Sequence, residues 1–305
     1  MKLLVTGDFH LDYNSIEEMS EIINQIMYYN FDGIAVLGDI FDKSRPHPDA
    51  IALFVSFLQR IPETIPIYII AGNHDKNKDE DATAFIPYLN KSNIIYNSES
   101  LKVMIGNKKV TMLHTNVNES KMGPKDMQLS SISYKNIEGD IILLGHIHKS
   151  QIISEIPLVL HPGCPFYYNF GEREDKKGFY MVDISDKVTY TFNSLHITPM
   201  YQFNITNADL HNIDNKLVDL PFQSKVKIVF NLDTCDLNTS TLIREIIKNY
   251  KDKFKIFKYE VNVAKSNIEV STLVKQETIT QLLEEFCKKE NIDIEIKKTL
   301  EDSLK

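Results

Sequence analysis

Cysteine is scarce in this 305-residue chain. Its three cysteines, Cys164, Cys235 and Cys287, are widely spaced and form no Cys-x-x-Cys pair. An odd and scattered set of this kind excludes a disulfide framework and a thiolate zinc site. We therefore expect the protein to work in a reducing compartment, the cytoplasm.

Long apolar runs are also absent. No stretch approaches the roughly 20 apolar residues that a membrane-spanning helix needs. The first residues, MKLLVTGDFHLD, interrupt a short apolar run at Gly7 and Asp8, so they do not resemble a secretory signal. We therefore expect no association with a membrane.

Positive charge is the third shortage. The chain has 34 Lys and Arg, of which four are Arg, against 42 Asp and Glu, and its net charge is -8. Residues 1–200 carry 18 basic and 25 acidic side chains, and residues 201–305 carry 16 and 17. Because nucleic-acid binding depends on Lys and Arg that neutralise phosphates, this balance argues against tight unaided binding. Bound divalent cations or a basic partner would have to supply the missing charge.

Short apolar runs alternate with amphipathic stretches in the first hundred residues. Three runs, KLLVT, GIAVLG and IPIYIIAG, have the composition of buried strands and end in polar turns that contain glycine. Residues 15–29 and 48–58 place apolar side chains at helical spacing between these runs. The pattern predicts a β-α-β-α-β opening of an α/β domain.

The strands come closer together beyond residue 100. LKVMI and KKVTMLH flank a Gly106-Asn107 turn, which is a strong hairpin signal. Four further apolar runs come next, with little room for helices: IILLGHIH, PLVLHPG, GFYMVDI and VTYTFNSL. We therefore predict mostly antiparallel pairing in this region.

The length of the chain favours one large domain and a smaller one. We place the large domain at residues 1–199, because Asn- and Asp-rich sequence at 204–219 separates it from the next unit. Residues 200–268 have a β-α-β pattern and form the predicted small α/β domain. Residues 269–305 form a predicted helical tail, in which Ile279, Leu282, Leu283 and Phe286 share one helix face.

Polar side chains that bind metals follow five successive predicted strands. They are Asp8 and His10, then Asp39 and Asp42, then Asn73, His74 and Asp75, then His114, and last His146 and His148. Ligand sites of open α/β sheets lie beyond the carboxyl ends of the strands, so these side chains can converge. Oxygen and imidazole donors without thiolate suit Mn, Fe, Zn or Mg. The set is too large for one tetrahedral ion but fits two, which together can clamp a phosphoryl group and activate water.

In order along the chain, GDFH, GDIFD, GNHD, an isolated His and GHIH resemble the motifs of calcineurin-like metallophosphoesterases. The motifs span residues 7–148, and the ordered set is very specific. The resemblance implies a four-layer α/β/β/α sandwich in an α/β fold. It also implies that Asp8, His10 and His148 hold one metal ion, that Asn73, His114 and His146 hold the second, and that Asp39 bridges both.

The same resemblance implies two catalytic residues that are not ligands. His74 matches a histidine beside the scissile phosphate, which stabilises developing charge or protonates the leaving oxygen. Asp42 matches the carboxylate that orients this histidine. Asp75 has two open roles, at the site or in fixing the loop backbone. Four histidines have no matched position and are expected to be structural or exposed: His47, His161, His196 and His211.

Isolated members of the metal set have simpler explanations. Asp8 or Asp39 alone could cap a following helix, and His114 alone could be a hydrogen-bonded core residue. The ordered set as a whole fits the metal site better, because its predicted strand-end context is met.

Two segments distinguish the substrate classes of this superfamily. Protein phosphatases carry Arg-Gly after the second motif and GNHE at the third, whereas this chain has Lys43-Ser44-Arg45 and GNHD. Both GDIFDKSRPHPDAI and HPGCPFYYNFGEREDKKGFYMVDI, residues 161–184, resemble SbcD-type recombination nucleases. These nucleases also carry a small α/β capping domain and a helical tail. The compact length most resembles the short phage form, which is T-even-like.

The resemblance implies a Mn-dependent DNA exonuclease or endonuclease subunit that functions in recombination, repair or replication. The implied partners are DNA, an SMC-like coiled-coil ATPase and a second copy of the chain that pairs through the N-terminal helices. The implied location is the cytoplasm of a bacterium or of a phage-infected cell. Two alternatives stay open: a small-molecule or cyclic-nucleotide phosphodiesterase, and a catalytically silent scaffold. The tail helix either packs on its own domain or docks on the ATPase.

Overall fold

The structure is a computed structural model that describes residues 1–123 and 127–264. The predicted helical tail at 269–305 and the last residues of the predicted capping domain lie outside these ranges. No helix in the described ranges is long and apolar enough to cross a membrane.

Four α-helices and three groups of strands make up the described chain. The helices are α1 (Ile16–Met27), α2 (Pro48–Arg60), α3 (Ile213–Leu217) and α4 (Leu237–Tyr250). The strands are β1 (Lys2–Thr6), β2 (Gly33–Leu37), β3 (Ile67–Ile70), β4 (Ile94–Asn97), β5 (Ser100–Ile105), β6 (Lys108–His114), β7 (Ile141–Gly145), β8 (Gln151–Glu155), β9 (Leu158–His161), β10 (Gly178–Asp183), β11 (Thr189–Ser194), β12 (Met200–Ile205), β13 (Lys225–Leu232) and β14 (Ile256–Val263). Short 3-10 turns lie at Tyr13–Ser15, Ile86–Tyr88, Tyr134–Asn136, Phe170–Glu172 and Asn207–Asn212.

The first sheet confirms the predicted β-α-β-α-β opening. It has six strands in the order β11-β10-β1-β2-β3-β4. Strands β1 to β4 pair in parallel, while β10 and β11 run antiparallel at one edge. Helices α1 and α2 connect β1 to β2 and β2 to β3, so the carboxyl ends of these three strands share one sheet edge.

Most pairs formed by the strands between residues 100 and 199 are antiparallel, as predicted: β5-β6, β8-β9, β10-β11 and β1-β10. The second sheet departs from this prediction in two of its four pairs. Its five strands have the order β5-β6-β7-β9-β8, and the predicted hairpin β5-β6 is present. However, β6 pairs with β7 in parallel, and β7 pairs with β9 in parallel. Parallel neighbours need a crossover connection. The chain between β6 and β7, which includes the 3-10 turn Tyr134–Asn136, provides one. Strand β8, which no apolar run predicted, lies in the other.

Two apolar cores hold the sheets and helices in layers. The core between the sheets contains buried side chains of both, such as Val5 and Leu37 of the first and Met112 and Leu143 of the second. On the other face of the first sheet, α1 and α2 bury an aromatic and aliphatic core. The α/β sandwich is therefore confirmed. Over the second sheet, the described fourth layer is the loop around Tyr134–Asn136, which packs on Ile142, Leu144 and Val159.

A third sheet has the strand order β12-β13-β14. Both of its strand pairs are parallel, and α3 and α4 cover one face. The segment 204–219, which was expected to be a separator, instead contributes Leu210, Ile213 and Leu217 to this core. These residues are apolar positions among the Asn and Asp residues, and composition alone conceals them. The capping-domain boundary at residue 200 stays a prediction.

A buried ion pair joins α1 to β13. Lys225 Nζ lies 2.6 Å from Glu18 Oε2, and both side chains are nearly inaccessible to water. The ammonium also lies 5.6 Å from the ring centroid of Phe166. Because desolvating a charge is costly, each member of the pair depends on the other.

Removal of one partner should therefore destabilise the protein strongly. We expect Lys225→Met to lower the free energy of unfolding by about 3 to 5 kcal/mol, because it leaves Glu18 as an unpaired buried charge. The matched control is Lys227→Met, which breaks the surface pair with Glu260 and should cost no more than about 1 kcal/mol. Urea unfolding followed by circular dichroism measures both. Equal losses in the two variants would contradict the assignment.

Candidate metal centre

Four of the predicted ligands lie in strained backbone at the ends of strands. The φ angle is 51° at Asp8, 41° at His10, 46° at Asp39 and 85° at His146. Left-handed conformations cost roughly 1 to 3 kcal/mol for each non-glycine residue and persist only where the surroundings impose them. In this protein, Asp8 N donates to Gly38 O and His10 N donates to Asp39 O, both at 2.9 Å. The two loops therefore hold each other in the turns that aim these side chains at one point.

Two glycines allow the strand ends to approach each other. A Cβ on Gly72 would overlap the side chain and main chain of Asp39, and one on Gly145 would overlap Leu37 O. At these two positions the strand ends approach so closely that only glycine fits.

Asp8, His10 and His148 form the first group of potential ligands. One ligand atom of each lies within 4.8 Å of the others. The Nε2 atoms of His10 and His148 face each other at 3.0 Å. Asp8 uses Oδ1 to accept from His146 N at 3.0 Å, while its buried Oδ2 has no hydrogen-bond partner.

Asn73, His114 and His146 form the second group. Asn73 Oδ1 lies 3.1 Å from both His114 Nε2 and His146 Nδ1. The opposite ring nitrogens contact main-chain carbonyls: His114 Nδ1 donates to Leu37 O at 2.7 Å, and His146 Nε2 donates to Met127 O at 2.6 Å. Since a carbonyl only accepts, the far nitrogen of each ring carries a proton, and the near nitrogen points at the site.

Asp39 lies between the two groups. Its Oδ2 is 3.7 Å from His10 Nε2 and 3.3 Å from His114 Nε2, and the carboxylate is 2% exposed. Oδ1 accepts from His74 N at 2.8 Å. The carboxylate is therefore within reach of both groups.

The charges of the site depend on one another. Burial opposes ionisation of Asp39, but His114 and His10 hold the pKa of its carboxyl well below its ordinary value. Burial would lower the pKa of His114, yet Asp39 outweighs it and raises the pKa to about 9. Burial lowers the pKa of His146 below its ordinary value. A carboxylate this deeply buried needs a nearby cation.

The donor set fits divalent cations. Its atoms are carboxylate and amide oxygens and imidazole nitrogens, the ligands of Mn, Fe, Zn and Mg. The unpartnered Asp8 Oδ2 and the two facing Nε2 atoms of His10 and His148 are what a metal site presents to an ion.

His74 lies beside the first group, with its ring centroid 4.8 Å from that of His10. Its contact with Asp42 differs from the expected one. His74 Nδ1 donates to the main-chain carbonyl of Asp42 at 2.9 Å, while the Asp42 carboxylate accepts from Tyr168 Oη at 2.7 Å. The pKa of Asp42 is lowered by His10 and Tyr168.

Asp75 fixes the loop backbone, which is one of the two roles that its sequence position left open. Its carboxylate accepts from three main-chain donors: Ile40 N at 3.2 Å, Phe41 N at 2.8 Å and Gly72 N at 2.8 Å. Burial and the neighbouring Asp39 raise the pKa of Asp75 to about 6. Asp75 thus links the loops after β2 and β3 and stays behind the site.

Two residues that contact the site, Tyr168 and Glu172, were not predicted from the sequence. The Tyr168 ring centroid lies 4.4 Å from that of His10 and 5.1 Å from that of His148. Glu172 Oε1 accepts from His148 Nδ1 at 2.9 Å. Both lie in the segment 161–184 that carries the nuclease resemblance, and this was the available signal.

The four unmatched histidines lie away from the site or behind it. His47 caps α2 by accepting from Asp49 N, and His196 and His211 are exposed. His161 is fully buried: its Nδ1 donates to Gly145 O at 3.2 Å and its Nε2 accepts from Ser120 Oγ at 2.9 Å. Both ring nitrogens are occupied, so His161 is a satisfied core residue, as expected.

The chain matches a known family over more than half its length. The sequence model of the calcineurin-like phosphoesterase superfamily domain matches residues 1–187. A subunit of the nuclease SbcCD of Escherichia coli (strain K12) is 22% identical over 293 residues, which cover 71% of this chain and 73% of that protein. DNA double-strand break repair protein Mre11 of Methanococcus maripaludis is 23% identical over 359 residues, which cover 96% and 92%.

A solved structure is also similar. The crystal structure of a hypothetical protein from Pyrococcus horikoshii OT3 superposes with a TM-score of 0.43 and 15% sequence identity. The superposition covers 72% of this chain and 94% of that one.

Replacement of Asp39 should impair both metal positions. We expect Asp39→Asn to lower bound metal from two ions to fewer than one per chain, because its carboxylate lies between both groups. Asparagine tolerates the left-handed backbone, so the turn is kept. Metal analysis after dialysis measures the stoichiometry, with the exposed Asp252→Asn as an acidic control. Two ions retained at full affinity would contradict the shared role.

His161 should make the fold sensitive to acid. Burial lowers the pKa of His161 from its ordinary 6.5 to about 3. Its stabilising effect is therefore complete above pH 6.5 and is lost as the pH falls toward 3, with a slope of up to about 1.4 kcal/mol per pH unit. We expect His161→Asn to flatten the dependence of the unfolding free energy on pH in this window, whereas exposed His196→Asn should not. Urea unfolding at several pH values tests this, and parallel curves for all three proteins would contradict it.

Proposed function

We propose that this chain, which belongs to the calcineurin-like phosphoesterase superfamily, is a two-metal phosphodiesterase that cleaves DNA. The observation that carries the proposal is the convergence of two ligand groups on the Asp39 carboxylate. One buried carboxylate within reach of both groups is the arrangement that two neighbouring cations require.

The ligand roles follow from the two groups. Asp8, His10 and His148 would hold one ion, Asn73, His114 and His146 the other, and Asp39 would contact both. Manganese is the proposed ion, and Mg, Fe and Zn have the same donor preferences. Two such ions supply Lewis-acid polarisation of a phosphodiester and activation of the attacking water.

His74 would stabilise or protonate the leaving oxygen. Its Nδ1 proton is donated to Asp42 O, so Nε2 is the nitrogen free to face a substrate. In the imidazolium form Nε2 donates a hydrogen bond or a proton to the departing oxygen, and in either form Nδ1 keeps the ring in place. Asp42 and Tyr168 add a hydrogen-bonded pair at the same mouth of the site.

DNA is proposed as the substrate because the named relatives include a nuclease subunit and a DNA double-strand break repair protein. By the same likeness, the proposed setting is DNA recombination, repair or replication. The proposed partners are an SMC-like ATPase and a second copy of the chain. The net charge of -8 supports the need for a partner, since acidic side chains outnumber the basic ones that could bind a polyanion.

Hydrolysis of a small phosphodiester or cyclic nucleotide is the second candidate, and the acidic charge of residues 1–200 favours it. A substrate with one phosphate needs no extended basic surface. A catalytically silent scaffold is a third possibility, and the complete set of ligand side chains argues against it.

Substrate comparison separates these functions. The manganese-loaded protein should nick or degrade DNA, alone or together with an SMC-like ATPase partner. Hydrolysis of bis-p-nitrophenyl phosphate with intact DNA under both conditions would favour the small-diester function. Failure to bind metal would favour the scaffold.

The proposed role of His74 predicts a separation of binding from turnover. We expect His74→Ala to keep both metal ions and to lower turnover by roughly 10²- to 10⁴-fold, the usual contribution of a general acid or base. The exposed His47→Ala is the matched control and should keep full activity. Metal analysis and steady-state kinetics on a model diester measure the two effects. Loss of metal together with activity would mean that His74 is a ligand.

A further inference from the structure

A buried carboxylate lies directly behind the first ligand group. Glu172 is 6% exposed and is not within the ligand set proposed above. Its Oε1 accepts from His148 Nδ1 at 2.9 Å and from Asn169 Nδ2 at 2.5 Å. Its Oε2 accepts from Lys177 Nζ at 2.7 Å and from Tyr168 N at 3.2 Å. One side chain thus collects four donors from three sequence segments.

Lys177 balances the charge of this carboxylate. Its side chain is fully buried, and Nζ also contacts His148 O at 3.3 Å. The pair therefore holds His148 twice, by its ring through Glu172 and by its main chain through Lys177. Cys164 lies close to Glu172 and His148, but the ammonium of Lys177 already neutralises the carboxylate there.

The hydrogen bond to Glu172 decides which nitrogen of His148 faces the ligand group. Glu172 Oε2 lies 2.7 Å from the ammonium of Lys177, which balances the charge of an ionised carboxylate. An ionised carboxylate only accepts hydrogen bonds, so His148 Nδ1 carries a proton. Nε2 of the neutral ring is then the unprotonated nitrogen, and it points toward His10 Nε2 at 3.0 Å.

We propose that Glu172 is a positioning residue of the metal centre, which fixes the tautomer and orientation of His148, and that Lys177 is its buried counter-ion. The inference rests on the proposed function, because it takes His148 as a ligand. It also gives a physical role to the acidic residue and the lysine of the segment 161–184.

A purely structural role is the competing explanation. Glu172 also accepts from Asn169 and Tyr168, so it could merely fix the loop before β10. A positioning role requires a hydrogen-bond acceptor for His148 Nδ1 even after both buried charges have been removed. A purely structural role does not.

Two double variants separate these roles. Glu172→Gln with Lys177→Met removes both charges but keeps an amide oxygen that can accept from His148 Nδ1. Glu172→Met with Lys177→Met removes both charges and the acceptor. Each avoids an unpaired buried charge, which a single substitution would leave.

The first readout is calorimetric titration with Mn²⁺. The wild type should bind two ions. Glu172→Met/Lys177→Met should lose roughly 10- to 100-fold in affinity for Mn²⁺ at one site only, the usual effect of removing a residue that orients a metal ligand. Glu172→Gln/Lys177→Met should stay close to wild type. Equal affinities in the two variants, or equal losses at both sites, would overturn the positioning role.

The second readout needs no metal and no activity. Nitrogen-15 NMR of histidine-labelled, metal-free protein reports which imidazole nitrogen carries the proton. We expect the Nδ1-H form of neutral His148 in the wild type and in Glu172→Gln/Lys177→Met. In Glu172→Met/Lys177→Met we expect a mixture of the two tautomers. The Nε2-H form in the wild type would overturn it even if a variant failed to fold. An absence of Mn²⁺ binding with the Nδ1-H form intact would count against the proposed function alone.

Discussion

The rest of the structure depends on keeping the carboxylate of Asp39 ionised in a site that is almost closed to water. Removal of a carboxylate from water is costly unless donors and positive charge replace the lost hydration. His74 N provides a hydrogen bond, and His114 provides charge. Gly72 must lack a side chain so that its strand end can approach this close. Residues from both sheets therefore pack closely around Asp39 and also provide its hydrogen bond and its positive charge.

The same constraint explains the strained turns. Asp8, His10, Asp39 and His146 all adopt left-handed backbone, a conformation that a side chain disfavours. The cost is offset by the large cores between and beneath the sheets and by the main-chain hydrogen bonds that Asp75 accepts. Such strain is common at functional sites because the surroundings over-determine the geometry. Here the strain lies on the predicted ligands, which separates them from ordinary helix caps.

The fold class and the convergence of the strand ends could be predicted from the sequence because both follow from short-range patterns. Apolar runs and glycine turns mark the strands, and the motifs fall at their ends. By contrast, His114 and His161 both follow buried strands and look alike in sequence. Only the structure shows that both nitrogens of His161 are occupied while Nε2 of His114 faces the site. Tyr168 and Glu172 reach the site through the loop before β10, and no periodicity encodes the path of such a loop.

The acidic charge of the chain illustrates a further limit of reasoning from composition. A count of side chains assigns negative charge to the region where a phosphodiester should bind. Two of those acidic side chains, Asp8 and Asp39, are buried and directed at the ligand groups instead of at solvent. Two divalent cations would carry more positive charge than these two carboxylates carry negative charge, so a loaded centre would attract the anion that the bare sequence repels. Attraction would then be confined to the crevice, because basic side chains do not outnumber acidic ones in either part of the chain. Such a centre can recognise one phosphate strongly, whereas an extended polyanion would require cations from outside the described chain.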